Sequence, residues 1–418
     1  MASRAPAPSR RAGVPDGTIA EGTRLERAAR VIHGSFIDET IAIVARAGEG
    51  TISFAVGSPA REALDLAHAD ELAATVLERD GRSALGYGIT EGDDELRDII
   101  ADAARRRGIQ ASADDVIVTA GGLQAIDIAI RLFIRPGDMA VVESPGFANV
   151  LAALRNHGAR VLEVPVDTDG LDVATASRQI AESGASPKVF FVVPNFQNPS
   201  GVTLSRARRD ALVELAAEHG SIVIEDDPYR ELRYRGDDLP PIAAIARDGV
   251  VNIGSFSKTF LPGVRVGWAV SDRGTVKRMA AAKQTMDSCT SSLSQRLVVA
   301  FHRDRDFAVH VEALRALYRP KQARAREALA EHFGDVAVRW NDPDGGFYLW
   351  VELPDALSAR RLLDAGLARG VAFVPGDAFA IERDLGSSLR FSYASASLAD
   401  IDEGVRRLRL AYDDIIDR

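Results

Sequence analysis

The sequence predicts an α/β fold, with a large region built on a mostly parallel sheet joined to a smaller α+β region. Three observations carry this reading. Short runs rich in Val, Ile and Phe alternate with stretches of helical periodicity between about residues 115 and 255. That is the pattern of strands buried on both faces and covered by helices. After about Phe307 the pattern changes to one long helical stretch and then short strands with apolar alternation. This fits an antiparallel sheet with helices on one side. The length of 418 residues also exceeds what one ordinary core supports. The expected division is a disordered tail at 1–30, a large α/β domain at 61–309, and a small α+β domain made of 31–60 and 310–418.

The elements follow in order. Residues 37–47, IDETIAIVARA, have apolar residues at helical spacing, and TISFAVGSP at 51–59 reads as a strand ending in a turn. Residues 72–79 and 93–107 read as amphipathic helices. DVIVTAGG is a strand entering a glycine turn, and LQAIDIAIRLFI is the helix after it. MAVVESPG and FANVLAALRNHG repeat that pairing. RVLEVPV, KVFFVVPN, SIVIEDDPY and VVNIGSFS are strand-like, with the helical RRDALVELAAEHG between the second and third. A long helix from 307 to 332 precedes the short strands VAVRW, GGFYLWVEL, VAFVPG and SLRFSYA.

Composition narrows the function. A hydrophobic share of 46% and a charged share of 27% are those of a soluble globular chain. The net charge of -9 argues against a general nucleic-acid binder. The single cysteine, Cys289, excludes an intrachain disulfide and fits a reducing compartment. No apolar run approaches the ~18 residues of a membrane helix. The opening MASRAPAPSRRAGVPDG is basic but has no apolar core, unlike a secretory signal, and its Ala, Pro, Arg and Gly content reads as a solvated tail.

Six segments carry chemistry. GSFSKTFLPGVRVGW places Ser255, Ser257, Lys258 and Arg265 on and just after a strand end. Two hydroxyls and a guanidinium around one amine suit a phosphate beside an imine. Lysines are scarce in this chain, with Lys188, Lys258, Lys277, Lys283 and Lys321 the full set, and a lysine amine is the side chain that forms an imine with an aldehyde cofactor. TAGGLQAID is a strand end, a turn with Gly121 and Gly122, and a helix start. Free backbone N–H groups and the helix dipole make such a place an anion site. IVIEDDPYREL ends a buried strand in acidic residues, and a protonated ring nitrogen is a partner for Asp226, with Tyr229 three residues on. FVVPNFQNPSG brings Asn198, and ESPGF brings Phe147, each just past a strand end. Near the C-terminus Arg390 sits in the apolar strand SSLRFSYAS, where a substrate carboxylate is a good partner. Each segment alone has an ordinary alternative: a surface-loop lysine, a plain βα turn, a helix-capping Asp, a turn Asn, a core Phe, or an Arg in a structural ion pair. Ligands of open parallel sheets bind beyond the carboxyl ends of the strands. Gly121, Phe147, Asn198, Asp226 and Ser255 all fall there, so one crevice is expected.

In this order YGITEGDDELR, VTAGGLQAID, PGDMAVVESPGF, PNFQNPSG, IEDDPY, GSFSKTFLPGVRVGW, GGFYLW, FVPGDAF and LRFSY resemble one family, from about Ile52 to Leu408. They look like the fold-type I pyridoxal-5'-phosphate (PLP) enzymes, class I/II aminotransferases, near the 2-aminoadipate and kynurenine aminotransferase branch. The resemblance implies a large domain with a mostly parallel seven-stranded sheet, PLP as cofactor and no metal. It implies that Lys258 carries PLP as a Schiff base, Asp226 pairs the pyridine nitrogen, and Tyr229 and Asn198 hydrogen-bond the ring oxygen. Phe147 stacks on the ring, where the family more often has Tyr. Gly121, the Gly122–Leu123 backbone, Ser255, Ser257 and Arg265 hold the phosphate, and Tyr87 reaches the phosphate of a neighbouring subunit. Arg390 binds the substrate α-carboxylate, helped by Gly57 and Asn198. One departure stands out: the phosphate turn usually has Ser-Gln after its Gly, and here it has Gly122-Leu123, so two side-chain donors are missing.

The function implied is amino-group transfer between an L-α-amino acid and a 2-oxo acid by a ping-pong mechanism, in a cytoplasmic homodimer with no nucleic-acid or membrane partner. The same scaffold also serves PLP-dependent oxidases, hydroxylases and lyases. It further serves PLP-sensing regulators, which carry a DNA-binding segment ahead of this region. The substrate side chain is expected to be read by residues 31–60, Ser35 among them, and by the partner subunit.

Overall fold

The computed structural model describes residue 34 and residues 50–246, 248–354 and 357–417. The expected tail 1–30, the helix 37–47 and Ser35 lie outside the described residues. Of the strand expected at 51–59, only β1 (Ile52–Ser53) forms, pairing in parallel with Val371–Ala372. Beyond Phe54 the backbone leaves the ladder because side chains take its carbonyls. Arg390 donates to Ala55, Ser392 to Val56 and Lys258 to Gly57.

The larger sheet contains β2 (Val116–Thr119), β3 (Met139–Ser144), β4 (Arg160–Asp167), β5 (Gly170–Leu171), β6 (Val189–Val192), β7 (Ile222–Asp226), β8 (Val250–Ser255) and β9 (Gly267–Val270). Their order is β2-β9-β8-β7-β6-β3-β4-β5. The five strands from β8 to β4 run parallel, as the continuous apolar runs predict. β9 is antiparallel to both β8 and β2. The expected seven strands are therefore present with an eighth added, the two-residue β5, which turns back on β4 after Asp167. Residues of β2, β3 and β6 are buried throughout. Each fully buried Val, Ile or Phe contributes roughly 1.5–3 kcal/mol, so this sheet is a rigid floor for whatever its ends carry.

Helices bracket the strands. Gly122–Phe133 follows β2, Ala148–Asn156 follows β3 and Arg206–His219 precedes β7. Polar caps define several starts: Asp93 accepts from the Leu96 N–H, and Ser205 from the Arg208 N–H.

The smaller sheet joins β10 (Arg339–Trp340), β11 (Tyr348–Glu352), β13 (Val374–Pro375) and β14 (Ser388–Ser392) in the order β10-β11-β14-β13, all antiparallel. The expected strand VAFVPG is split: β12 (Val371–Ala372) serves β1, and β13 serves β14. The long helix Phe307–Phe333 and the last helix Leu398–Ile416 pack together, with the Phe333 and Tyr412 rings edge to face at 5.7 Å.

Candidate active site

A cleft of about 390 Å³ opens beyond the carboxyl ends of β2, β3, β6, β7 and β8. Its walls include Gly57, Gly122, Leu123, Phe147, Asn198, Asp226, Tyr229, Ser255, Ser257, Lys258, Arg265 and Arg390. Gly121 sits just outside the wall, beneath the Arg265 guanidinium. Tyr87 is not brought there within this chain: it is 96% exposed.

The loop between β8 and β9 gathers Ser257, Lys258 and Arg265 around one end of the cleft. The sequence placed Arg265 after a strand end; it also lies two residues before β9, a strand the sequence did not reveal. The loop holds itself together. Ser255 Oγ donates to Ser257 Oγ at 2.9 Å and accepts from the Ser257 N–H at 3.1 Å. Arg265 Nη1 reaches Ser257 Oγ at 3.4 Å. Facing them is the start of helix Gly122–Phe133, whose cap residue Gly121 has φ +85° and offers no capping side chain. First-turn N–H groups lack intrahelical partners, so they open onto a hydroxyl and guanidinium cup. A Cβ on Gly121 would lie 2.3 Å from Arg265 Nη2, which is why glycine stands there.

At the cleft floor the Asp226 carboxyl is buried and makes no hydrogen bond among the described residues. Burial, then the charge of Asp227, pushes its pKa up to about 7, against the pull of Lys258. Lys258 Nζ donates to Gly57 O at 2.7 Å. Burial, then Arg390 and Arg265, lowers that amine to about 8. The amine is thus far easier to deprotonate than an exposed lysine, as a base or nucleophile requires.

Arg390 projects from the middle of β14 and is 1% exposed. Its Nη1 donates to Asn198 Oδ1 at 2.9 Å and its Nη2 to Ala55 O at 2.6 Å. Its Nε is buried without a partner, and no carboxylate pairs with it among the described residues. The guanidinium lies 4.6 Å from the Tyr348 ring and 5.2 Å from that of Phe379. Because Arg390 occupies Asn198 Oδ1, the amide Nδ2 of Asn198 is left to donate into the cleft. The Asn198–Pro199 peptide bond in this turn is cis.

Tyr348 is a polar wall residue that sequence reasoning missed. Its hydroxyl is 3.0 Å from that of Tyr229, and both rings are buried. GGFYLW was read as a strand only. A polar signal was available, because a phenol in an otherwise apolar strand needs a partner. Gly345 and Gly346 let this strand close on Phe196: a Cβ on Gly345 would stand 2.6 Å from its ring, and one on Gly346 2.5 Å from its Cβ.

Pyridoxal 5'-phosphate fits these residues. A buried carboxylate without a hydrogen-bond partner among the described residues suits a cationic ring nitrogen, the buried Lys258 amine is hydrogen-bonded among them only to the Gly57 carbonyl, and a glycine-opened helix start faces two serines and an arginine. Fold and cleft together define a PLP-dependent transferase. The chain belongs to the aminotransferase class I and II family, whose model matches residues 49–408. It is 35% identical over 362 residues to aromatic-amino-acid aminotransferase 1 of Thermococcus litoralis, covering 85% of this chain and 87% of that one. It is 35% identical to 2-aminoadipate transaminase of Thermus thermophilus, covering 90% and 93%. The kynurenine aminotransferase structure from Pyrococcus horikoshii, solved in complex with PMP, superposes with a TM-score of 0.88 at 34% identity, covering 94% and 98%. The protein is a PLP-dependent enzyme that transfers amino groups between amino acids and oxo acids. No described helix is long and apolar enough to cross a membrane.

Proposed function

We propose that this enzyme transaminates L-α-amino acids with 2-oxo acids by a ping-pong mechanism, using the residues of this cleft in distinct roles. The observation that carries the proposal is Arg390. It is a buried guanidinium with no carboxylate partner among the described residues, in the same cleft as Lys258. It would grip the α-carboxylate, with Asn198 and the Gly57 segment fixing its angle. Lys258 holds the cofactor through its amine and, once displaced by the substrate, moves the proton from Cα. Asp226 supplies the anion beside the ring nitrogen. Bound PLP contributes an electron sink for the charge left at Cα. Tyr229 and Asn198 donate to the ring oxygen, and Phe147 covers the ring. Ser255, Ser257, Arg265 and the N–H groups of Gly122 and Leu123 hold the phosphate.

The division of labour runs between two parts. Residues 61–309 hold the cofactor, and 310–418 with 31–60 hold the substrate carboxylate. Val56, Leu123, Ile126, Phe147 and Val193 give the cleft apolar walls. These support an apolar or aromatic donor side chain, in keeping with the name of the Thermococcus litoralis relative. Exposed Leu85, Tyr87 and Ile89 support a homodimer in which Tyr87 completes the neighbour's site. The lone cysteine supports a cytoplasmic location.

The test is a panel of amino donors with 2-oxoglutarate and pyruvate, read by the cofactor's spectral change and by stoichiometric product. Amine transfer that depends on the oxo acid is expected, and Lys258→Ala should lose both turnover and the visible band. Ammonia or peroxide released without oxo acid would instead assign a lyase or oxidase.

A further inference from the structure

We infer that the Tyr348 hydroxyl donates to the Tyr229 hydroxyl and so strengthens the hydrogen bond that Tyr229 gives to the cofactor's ring oxygen. This makes Tyr348 a positioning residue. It rests on the role proposed above for Tyr229. The two hydroxyl oxygens are 3.0 Å apart, and their rings meet edge to face at 5.7 Å and 81°. Tyr229 is 3% and Tyr348 1% exposed, and both line the cleft.

Proton counting sets the direction. Each phenol has one hydrogen to give. If Tyr229 gives its own to the ring oxygen, the contact with Tyr348 must run from Tyr348 to Tyr229. A hydroxyl that accepts a hydrogen bond is polarised into a better donor, by about 10–30% per bond. Burial holds the Tyr229 phenol well above its ordinary range, which keeps its proton available for donation.

The surroundings fix Tyr348 in place. Its ring lies against the Arg390 guanidinium at 4.6 Å. A Cβ on Gly57 would stand 2.3 Å from the Tyr348 hydroxyl oxygen, so that approach exists only because residue 57 is glycine. The same Gly57 offers its carbonyl to Lys258. Tyr348 thereby touches the ring-oxygen partner, the carboxylate-binding arginine and the wall that receives the lysine. The charged and titratable groups facing the phenol pair are Arg390 from β14, Asp226 from β7 and Lys258 from the β8–β9 loop.

With the cofactor bound, a donor on its ring oxygen would withdraw electron density and lower the proton affinity of the Lys258 nitrogen. Tyr348→Phe keeps the ring on Arg390 and deletes only the hydroxyl. The experiment is a pH titration of the bound cofactor's visible absorbance in wild type, Y348F, Y229F and the double variant. Y348F is expected to raise the midpoint by about half a pH unit, roughly a threefold change in proton affinity. Y229F should raise it further, and the double variant should match Y229F alone. A midpoint shifted by Y229F but not by Y348F would overturn the inference and leave the role of Tyr229 standing. Additive shifts would overturn it too, since Tyr348 would then act without Tyr229. No shift in either variant, with cofactor still bound, would remove the Tyr229 assignment itself.

Discussion

Glu143 closes β3, 2% exposed, with Oε2 accepting from the Val193 N–H at 3.0 Å and Gln197 Nε2 at 3.3 Å. Gln197 also donates to Pro145 O at 2.7 Å, so this carboxyl ties the turn that carries Phe147 to the turn that carries Asn198. Burial, outweighing those hydrogen bonds, pushes Glu143 from 4.5 up to about 8. The folded chain then keeps a proton that the unfolded chain releases near 4.5. Where the native state binds more protons, stability falls as pH rises. The loss therefore begins near the unfolded value, runs to about 8 and levels off above it. Each tenfold change in proton affinity is worth about 1.4 kcal/mol, so the ceiling is several kcal/mol. Glu143→Gln keeps an oxygen for the Val193 N–H and removes the titration. The cofactor-free variant should lose less melting temperature than wild type between pH 5 and 8. Parallel melting curves would show that Glu143 ionises freely in the fold. Asp226, raised by burial in the same direction, remains in both proteins, and its charge adds to the forces that keep Glu143 protonated. Lys258, Asp226 and Arg390 were legible because each is a charged side chain in or just past an apolar strand, inside a recognisable motif. Tyr348 and Glu143 also carry polar groups in buried strands, but their roles show only in the partners that folding brings to them, Tyr229 for one and Val193 and Gln197 for the other.

The turn between β2 and the helix Gly122–Phe133 shows what an element adds to its residues. Gly121 is held at φ +85° and ψ 166°, a region almost confined to glycine that costs other residues on the order of 1–3 kcal/mol. A methyl there would also displace Arg265 from the cup, 2.3 Å away. Gly121→Ala should therefore weaken PLP binding about tenfold or more with the fold retained. Titration of the cofactor-free protein with PLP, alongside a circular-dichroism spectrum, checks this. Gly122 differs: a Cβ there finds its nearest neighbour at 3.7 Å. Gly122→Ser fits, adds a phosphate donor and should bind PLP at least as tightly as wild type. The parallel strands of this sheet were legible from their continuous apolar runs, and their ends located the cleft. β9 was not, since its few residues follow directly on the Lys258 motif and were absorbed into it. The strand expected at 51–59 was over-read because apolar alternation there reflects a cleft wall whose carbonyls serve Arg390, Ser392 and Lys258.

At the scale of the molecule, one proposed role cannot be filled by a single chain. Tyr87 belongs to the ordered series of motifs, yet its side chain is 96% exposed and faces no cleft wall here. Leu85 and Ile89 beside it are 65% and 53% exposed, and Ser292 Oγ pins the segment by donating to Gly86 O at 2.9 Å. An anchored, apolar, solvent-facing segment is what a two-fold interface needs. If Tyr87 serves the neighbour's phosphate, Tyr87→Ala and Lys258→Ala are lesions in different sites of the same dimer. A hybrid of the two subunits then has one site with both lesions and one with neither. Refolding or co-expressing the variants in equal amounts should restore about a quarter of the wild-type sites, since half the dimers are hybrids and each has one intact site. Each variant alone should stay far below that level in cofactor retention and turnover. Were Tyr87 to act within its own chain, every site in the hybrid would carry one lesion and mixing would recover nothing. Sedimentation of the wild type at twice the monomer mass is the companion measurement, because complementation in trans has no meaning for a chain that sediments alone.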